Sequence, residues 1–357
     1  MAQPVDIFSD LIGHTLVIRL LRSELARPSQ AYLFLGPSST GKGSTARRFA
    51  AGLLCSRDSE CSRRVIELTH PDIVLVEPDG RRSITVDQAR YIVSQASLAP
   101  LEGQRKVFLF EEGGMMNDEA ANALLKTIEE PTPSTIFLIV AESESDLPET
   151  ISSRCRRIVF GRVSEEEITK GLVAIGIERD QAEQAARLSS GRPGLARSLS
   201  TEPETAAFRD AWLSVPMRLS AHPGDAFVLA DEMMTVLDPL LAGLRRQNQQ
   251  EVKLLEAEGG RPKALKERHD RALKRVSLAL YSSGLEILAM FYRDAAAAQF
   301  GAVIRHIDVP PKAFVSLHPV RAIRNADRVL ETIDALRSNQ RPQLALANLF
   351  SDLSSDV

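Results

Sequence analysis

The stretch from Lys106 to Arg157 constrains this chain more than any other. Val107-Phe108-Leu109-Phe110 is a short apolar run with the length and composition of a buried strand. It ends on two carboxylates, Glu111 and Glu112. A helix with defined edges follows. Asn117 is placed to cap it, Asp118 and Glu119 occupy its first turn, and Pro131 stops it. Ala121, Leu124, Leu125 and Ile128 recur at i, i+3, i+4 and i+7 and give it one buried face. Thr135 to Val140 reads as a second buried strand, and the segment closes on Ser152-Ser153-Arg154-Cys155. An apolar strand ending in acids suits a nucleotide-hydrolysing site, where one carboxylate holds the Mg²⁺ shell and the next polarises a water. Taken alone, Glu111 and Glu112 equally well start a solvated loop.

Upstream, Ala31 to Leu35 is a short apolar strand, the run from Gly36 to Gly41 and Lys42 is glycine-rich, and Ser44 to Leu54 reads as helix. This is the context of a phosphate loop: glycines let backbone N–H groups turn inward on a phosphate, and Lys42 adds positive charge. The alternative is a strand-to-helix turn that no longer binds phosphate. Ile73 to Val76 is another strand, and Ser83 to Asp87 opens a helix that runs through Ala96. Strands and helices alternating from residue 31 to 160 imply a parallel sheet wrapped by helices.

A chain of 357 residues holds two or three domains, each able to bury a core. No apolar run approaches a membrane span, and the segment from Met1 to His14 lacks the pattern of a signal peptide, so the expected compartment is the cytoplasm. With only Cys55, Cys61 and Cys155, no disulfide framework is expected. A net charge of −3 argues against the whole surface acting as a trap for DNA.

These segments resemble the clamp-loader ATPases of the AAA+ class. Asp118 to Pro131 resembles that family's signature helix almost letter for letter, Ser153-Arg154-Cys155 is similar to its SRC motif, and Phe8 to Leu25 is similar to the segment before its phosphate loop. The family order of His70-Pro71-Asp72, strand, turn and helix is present too. The resemblance implies an α/β AAA+ P-loop core over residues 1–161, a three-helix lid over 162–203 and an all-α collar over 204–357 that joins subunits. Ser164 with Glu165 to Glu167 opens the lid, and Pro342 to Leu349 is similar to the family's closing motif, with Arg341 and Ala347 departing from it.

The resemblance also exposes departures. The phosphate loop wants Ser or Thr after its lysine to ligate Mg²⁺; this chain has Gly43, and Ser44 lies about 100° further round the helix. Glu111-Glu112 replaces Asp-Glu, which displaces an octahedral Mg²⁺. Ala141 stands where active members sense the γ-phosphate, and Gly194 stands where they place a lid arginine, with Arg192 and Arg197 displaced from it. ATP or ADP at Lys42 is left open. Where relatives carry a four-cysteine zinc module, only Cys55 and Cys61 remain, so no metal site is expected and the two read as reduced thiols in a helical hairpin.

In the family, the SRC arginine acts on a neighbour's nucleotide. The resemblance implies that role for Arg154 as a finger supplied in trans, with Arg156 and Arg157 as solvated neighbours; the plain alternative is a surface ion pair, for instance with Glu149. The implied partners are gamma/tau-type motor subunits, a delta subunit, the sliding clamp (beta) and, through the complex, primed DNA, with no membrane. The implied role is an accessory, non-hydrolysing loader subunit; the alternative is an ATP-hydrolysing motor subunit. Residues 245–275, which include Arg246, Lys253, Arg261 and Lys274, read as a solvated, charged helix pair rather than a DNA patch.

Overall fold

In the computed structural model the first half of the chain runs α1 (Thr15–Glu24), β1 (Ala31–Leu35), α2 (Lys42–Leu54), α3 (Ser59–Ile66), β2 (Ile73–Val76), α4 (Val86–Ala96), β3 (Lys106–Phe110), α5 (Asp118–Glu129), β4 (Thr135–Ala141), α6 (Glu149–Ser152) and β5 (Arg156–Val159). The structure describes all residues except 1–5, 56–57, 79–82, 201–203, 221, 258, 260–261, 303, 305–308, 310–313, 315–316, 338–339 and 355–357. Arg261 therefore lies outside the described residues, as do the last three residues of the expected lid.

The five strands form one parallel sheet in the order β2-β3-β4-β1-β5. Successive strand residues point to opposite faces, and both faces are buried. Ala31, Leu33 and Leu35 join Phe108, Phe110, Phe137 and Ile139 beneath α4 and α5. Tyr32 and Phe34 join Val107, Leu109, Ile136 and Leu138 beneath Leu21 of α1 and the apolar face of α2. Burying each phenylalanine contributes about 1.5–3 kcal/mol. This is the expected parallel sheet wrapped by helices. The α5 edges lie where the sequence sets them: the Asn117 side chain accepts from the Ala120 N–H at 2.8 Å, and the helix ends at Glu129, ahead of Pro131. Arg156 and Arg157 are not merely solvated: they pair with Glu24 at 3.0 Å and Glu144 at 2.8 Å.

The Pro71-bounded turn before β2 has a structural task. The buried Asp72 carboxylate accepts N–H bonds from Leu101, Glu102 and Gly103 at 2.6, 2.9 and 2.8 Å, fixing the turn that feeds β3. His70 Nδ1 accepts the Asp72 N–H at 3.1 Å. Burial would raise the Asp72 carboxyl, but the three backbone donors outweigh it and hold it below its ordinary value.

Cys55 and Cys61 are joined in a disulfide, with Cα atoms 5.8 Å apart, which ties the end of α2 to α3. This corrects the reading of two reduced thiols. The sulfurs are bonded to each other rather than offered to zinc, and Arg64 of α3 pairs with Glu102 at 3.0 Å.

The chain folds as two compact units, residues 1–186 with 191–197, and residues 187–190 with 198–357. The first unit also holds α7 (Glu165–Ala174), most of α8 (Arg179–Leu188) and the start of α9 (Pro193–Ser200). The second is helical: α10 (Thr205–Arg218), α11 (Pro223–Thr235), α12 (Asp238–Ala257), α13 (Lys263–Gln299), α14 (Pro319–Arg337) and α15 (Pro342–Ser354). In it α13 packs along α14, and α11 along α15. The charged segment forms the α12–α13 hairpin, with His269 on Glu251 at 2.8 Å and Lys266 on Glu256 at 3.1 Å. Trp212 lies flat against Gly284 of α13, so a Cβ there would fall 1.9 Å from the indole.

Gly284→Ala is expected to destabilise the helical unit by about 1–3 kcal/mol, because the indole has no free space to retreat into; the fluorescence of Trp212, the chain's one tryptophan, reports it directly. Asp72→Asn is expected to cost about 2 kcal/mol at neutral pH. Since the folded carboxyl lies below its ordinary 3.8, this contribution is complete above that value and is lost as pH falls through the lowered folded one. The stability gap between wild type and Asp72→Asn in urea titrations therefore narrows in acid.

Candidate functional site

The phosphate loop leaves the C-terminal end of β1 and turns into α2. Gly36 has φ +144°, and a Cβ there would fall 2.2 Å from the Phe160 carbonyl oxygen, so only glycine fits. Gly41 begins α2 with φ +95°. The loop is tied from both sides: Gly36 N–H donates to the Glu142 carbonyl at 3.2 Å, and His14 Nε2 bonds the Thr40 carbonyl at 2.9 Å.

Lys42 is buried and turned back on its own loop. Its Nζ donates to the carbonyls of Gly36 at 2.5 Å and Pro37 at 2.6 Å. Burial pushes its amine down to about 8, against the pull of the Glu142 and Asp146 carboxylates. Those acids give a phosphate an unfavourable neighbourhood.

Gly43 faces Glu111: a Cβ there would lie 3.4 Å from Glu111 Oε1. The space is used by Arg47, one turn further along α2. Its Nε and Nη2 donate to the two Glu111 oxygens at 2.6 and 2.7 Å, a bidentate pair in which Glu111 is 16% exposed. Ser44 does not serve this spot; its Oγ accepts from Arg48 at 2.7 Å, and Arg48 also pairs with Asp10. Glu112 begins the short 3₁₀ turn Gly113–Met115. Ala141 is buried and pairs in register with Leu35, just before the loop. Gly194, at the lid-arginine position, presses its backbone onto the loop: its N–H donates to the Ser39 carbonyl at 3.0 Å, and a Cβ would lie 2.9 Å from that oxygen. Arg192 is buried, and Arg197 acts on Asp10 instead. These residues do not fit a Mg-nucleotide: position 43 offers no hydroxyl ligand, and the strand-end carboxylate is held by a guanidinium.

Arg154 lies at the other end of the sheet. Cys155 and Ile151 are buried beside it, the Cys155 thiol pushed up to about 12 by burial, which makes it an inert core group. Arg156 pairs in register with Tyr32, at the start of β1, whereas the phosphate loop follows Leu35 at its end. The strand alone separates the two ends by about 10 Å. Arg154 pairs with Glu129, not Glu149, and among the described residues it makes no contact with the phosphate loop. Arg47 escaped the sequence reading, although it stands one helical turn after Gly43 on the face toward β3, which is the signal that reveals it.

The site lies where an inner strand of a parallel sheet turns into a helix through a glycine-rich loop, and its sequence is similar to that of known DNA polymerase III subunits. Residues 13–164 match the family described as DNA polymerase III, delta subunit. The chain is 40% identical over 139 residues to the DNA polymerase III subunit delta' of Pseudomonas aeruginosa, which covers 36% of this chain and 42% of that protein. It is 34% identical over 181 residues to the subunit delta' of Bacillus subtilis, covering 48% of this chain and 54% of that one. The Bacillus subtilis subunit tau is 34% identical over 169 residues, covering 45% of this chain and 30% of tau. The chain thus spans about half or less of the length of these relatives. Among the described residues no helix is long and apolar enough to cross a membrane.

The Lys42 amine is expected to titrate near pH 8 instead of its ordinary 10.5, measured as the pH dependence of its acylation rate by mass spectrometry; titration near 10.5 would count against the burial described. Because the folded value is the lower one, wild-type stability rises between about pH 8 and 10.5, and Lys42→Met removes that rise.

Proposed function

We propose that this chain is a delta-prime-type subunit of a bacterial DNA polymerase III clamp loader, an accessory subunit that hydrolyses no ATP itself. One observation carries the reading: Arg47 holds Glu111 by both oxygens where a Mg²⁺ shell would need that carboxylate. With the cation supplied from within, the core keeps its shape without nucleotide, and the Glu111 carboxylate is not offered to a metal. The collar region joins the ring beside gamma/tau-type motor subunits and a delta subunit. The complex works in the cytoplasm and places the sliding clamp on primed DNA.

Arg154 is the catalytic contribution. It sits at the end of the sheet remote from its own loop and is 37% exposed, so it serves a neighbour's ATP in trans. A planar, permanently charged fork suits the oxygens of a γ-phosphate in transfer. A second reading, a motor subunit that hydrolyses ATP, is favoured by the retained Lys42 and by the similarity to tau.

In a loader reconstituted with gamma/tau-type and delta subunits, Arg154→Ala is expected to remove the turnover of one motor site, a loss on the order of 10³ at that site. Lys42→Ala should leave turnover unchanged. Loss with Lys42→Ala alone would make the chain a motor subunit.

A further inference from the structure

Arg154 is held within its own subunit before any partner arrives. Its Nε and Nη2 both donate to Oε1 of Glu129, and Nη1 donates to the Thr150 carbonyl at 2.7 Å. Glu129 is the last residue of α5, where the helix dipole disfavours a carboxylate, so it is not there for the helix. Among the described residues Arg154 is its one ion-pair partner. The backbone on either side is anchored: Ile151, Ser152 and Cys155 are buried.

We infer that Glu129 is a positioning residue for Arg154, fixing the plane and reach of the guanidinium that an anion on a neighbouring subunit meets. The inference rests on the reading of Arg154 as a donor in trans. An arginine on a free four-bond stem must be ordered when it engages phosphate, and that ordering weakens every contact it makes. Here all three guanidinium nitrogens are held, Nε and Nη2 by Glu129 Oε1 and Nη1 by the Thr150 carbonyl and, at 3.4 Å, Ser153 Oγ, while the side chain stays partly exposed. The second N–H of Nη2 is then presented in one orientation. Glu129 also ties the finger to the C-terminus of α5, whose N-terminus follows the acidic end of β3.

The test uses a loader reconstituted with motor subunits whose own finger arginines are replaced by alanine, so that Arg154 supplies the only finger. Glu129→Ala is expected to lower kcat for ATP about tenfold, as misorientation of a catalytic group does. KM for ATP and assembly on gel filtration should stay unchanged, and Glu129→Asp should restore most of the rate. Unchanged or raised kcat in Glu129→Ala, with Arg154→Ala inactive, overturns the positioning role and leaves the finger standing. Lost assembly or an altered KM reduces Glu129 to a structural residue. A silent Arg154→Ala overturns the finger, and the positioning role with it.

Discussion

Everything in the first unit is placed by the burial of β1. The strand is paired along both edges, with β4 on one side and β5 on the other, and its five residues are buried. Such a strand has no freedom of register, because a slip by one residue would exchange the two cores. Its C-terminal end therefore delivers the phosphate loop to one edge of the sheet, and its N-terminal end sets the level at which β5 begins. The loop and Arg154 are fixed at opposite ends of the same element.

The electrostatics at the loop end are self-contained. Arg47 answers Glu111, the loop's carbonyls take the Lys42 protons, and Glu142 and Asp146 add negative charge nearby. These groups are satisfied by the chain itself. Position 43 adjoins the Arg47–Glu111 pair: a Cβ there would rest at ordinary contact distance, 3.4 Å, from Glu111 Oε1.

Much of this was legible in the sequence. The apolar runs at 31–35, 107–110 and 135–140 became buried strands because nothing but a covered parallel sheet takes runs apolar on both faces. The caps at Asn117 and Ser164 are local chemistry and were readable as such. The glycine after Lys42 was readable, but its surroundings were not: Arg47 meets Glu111 across 64 positions, and Arg154 meets Glu129 across 25, and neither adjacency exists until the sheet has formed. The disulfide was misread because two cysteines six apart are equally compatible with free thiols.

The contact of Gly194 with Ser39 has a mechanical meaning. In a machine driven by nucleotide, a lid that swings against its core converts chemistry into displacement. Here Gly194 N–H is bonded to the Ser39 carbonyl at 3.0 Å, and a Cβ at 194 would lie 2.9 Å from that oxygen. That contact joins the start of α9 and the loop after β1 into one mechanical piece, and the glycine at 194 is what lets the two backbones touch.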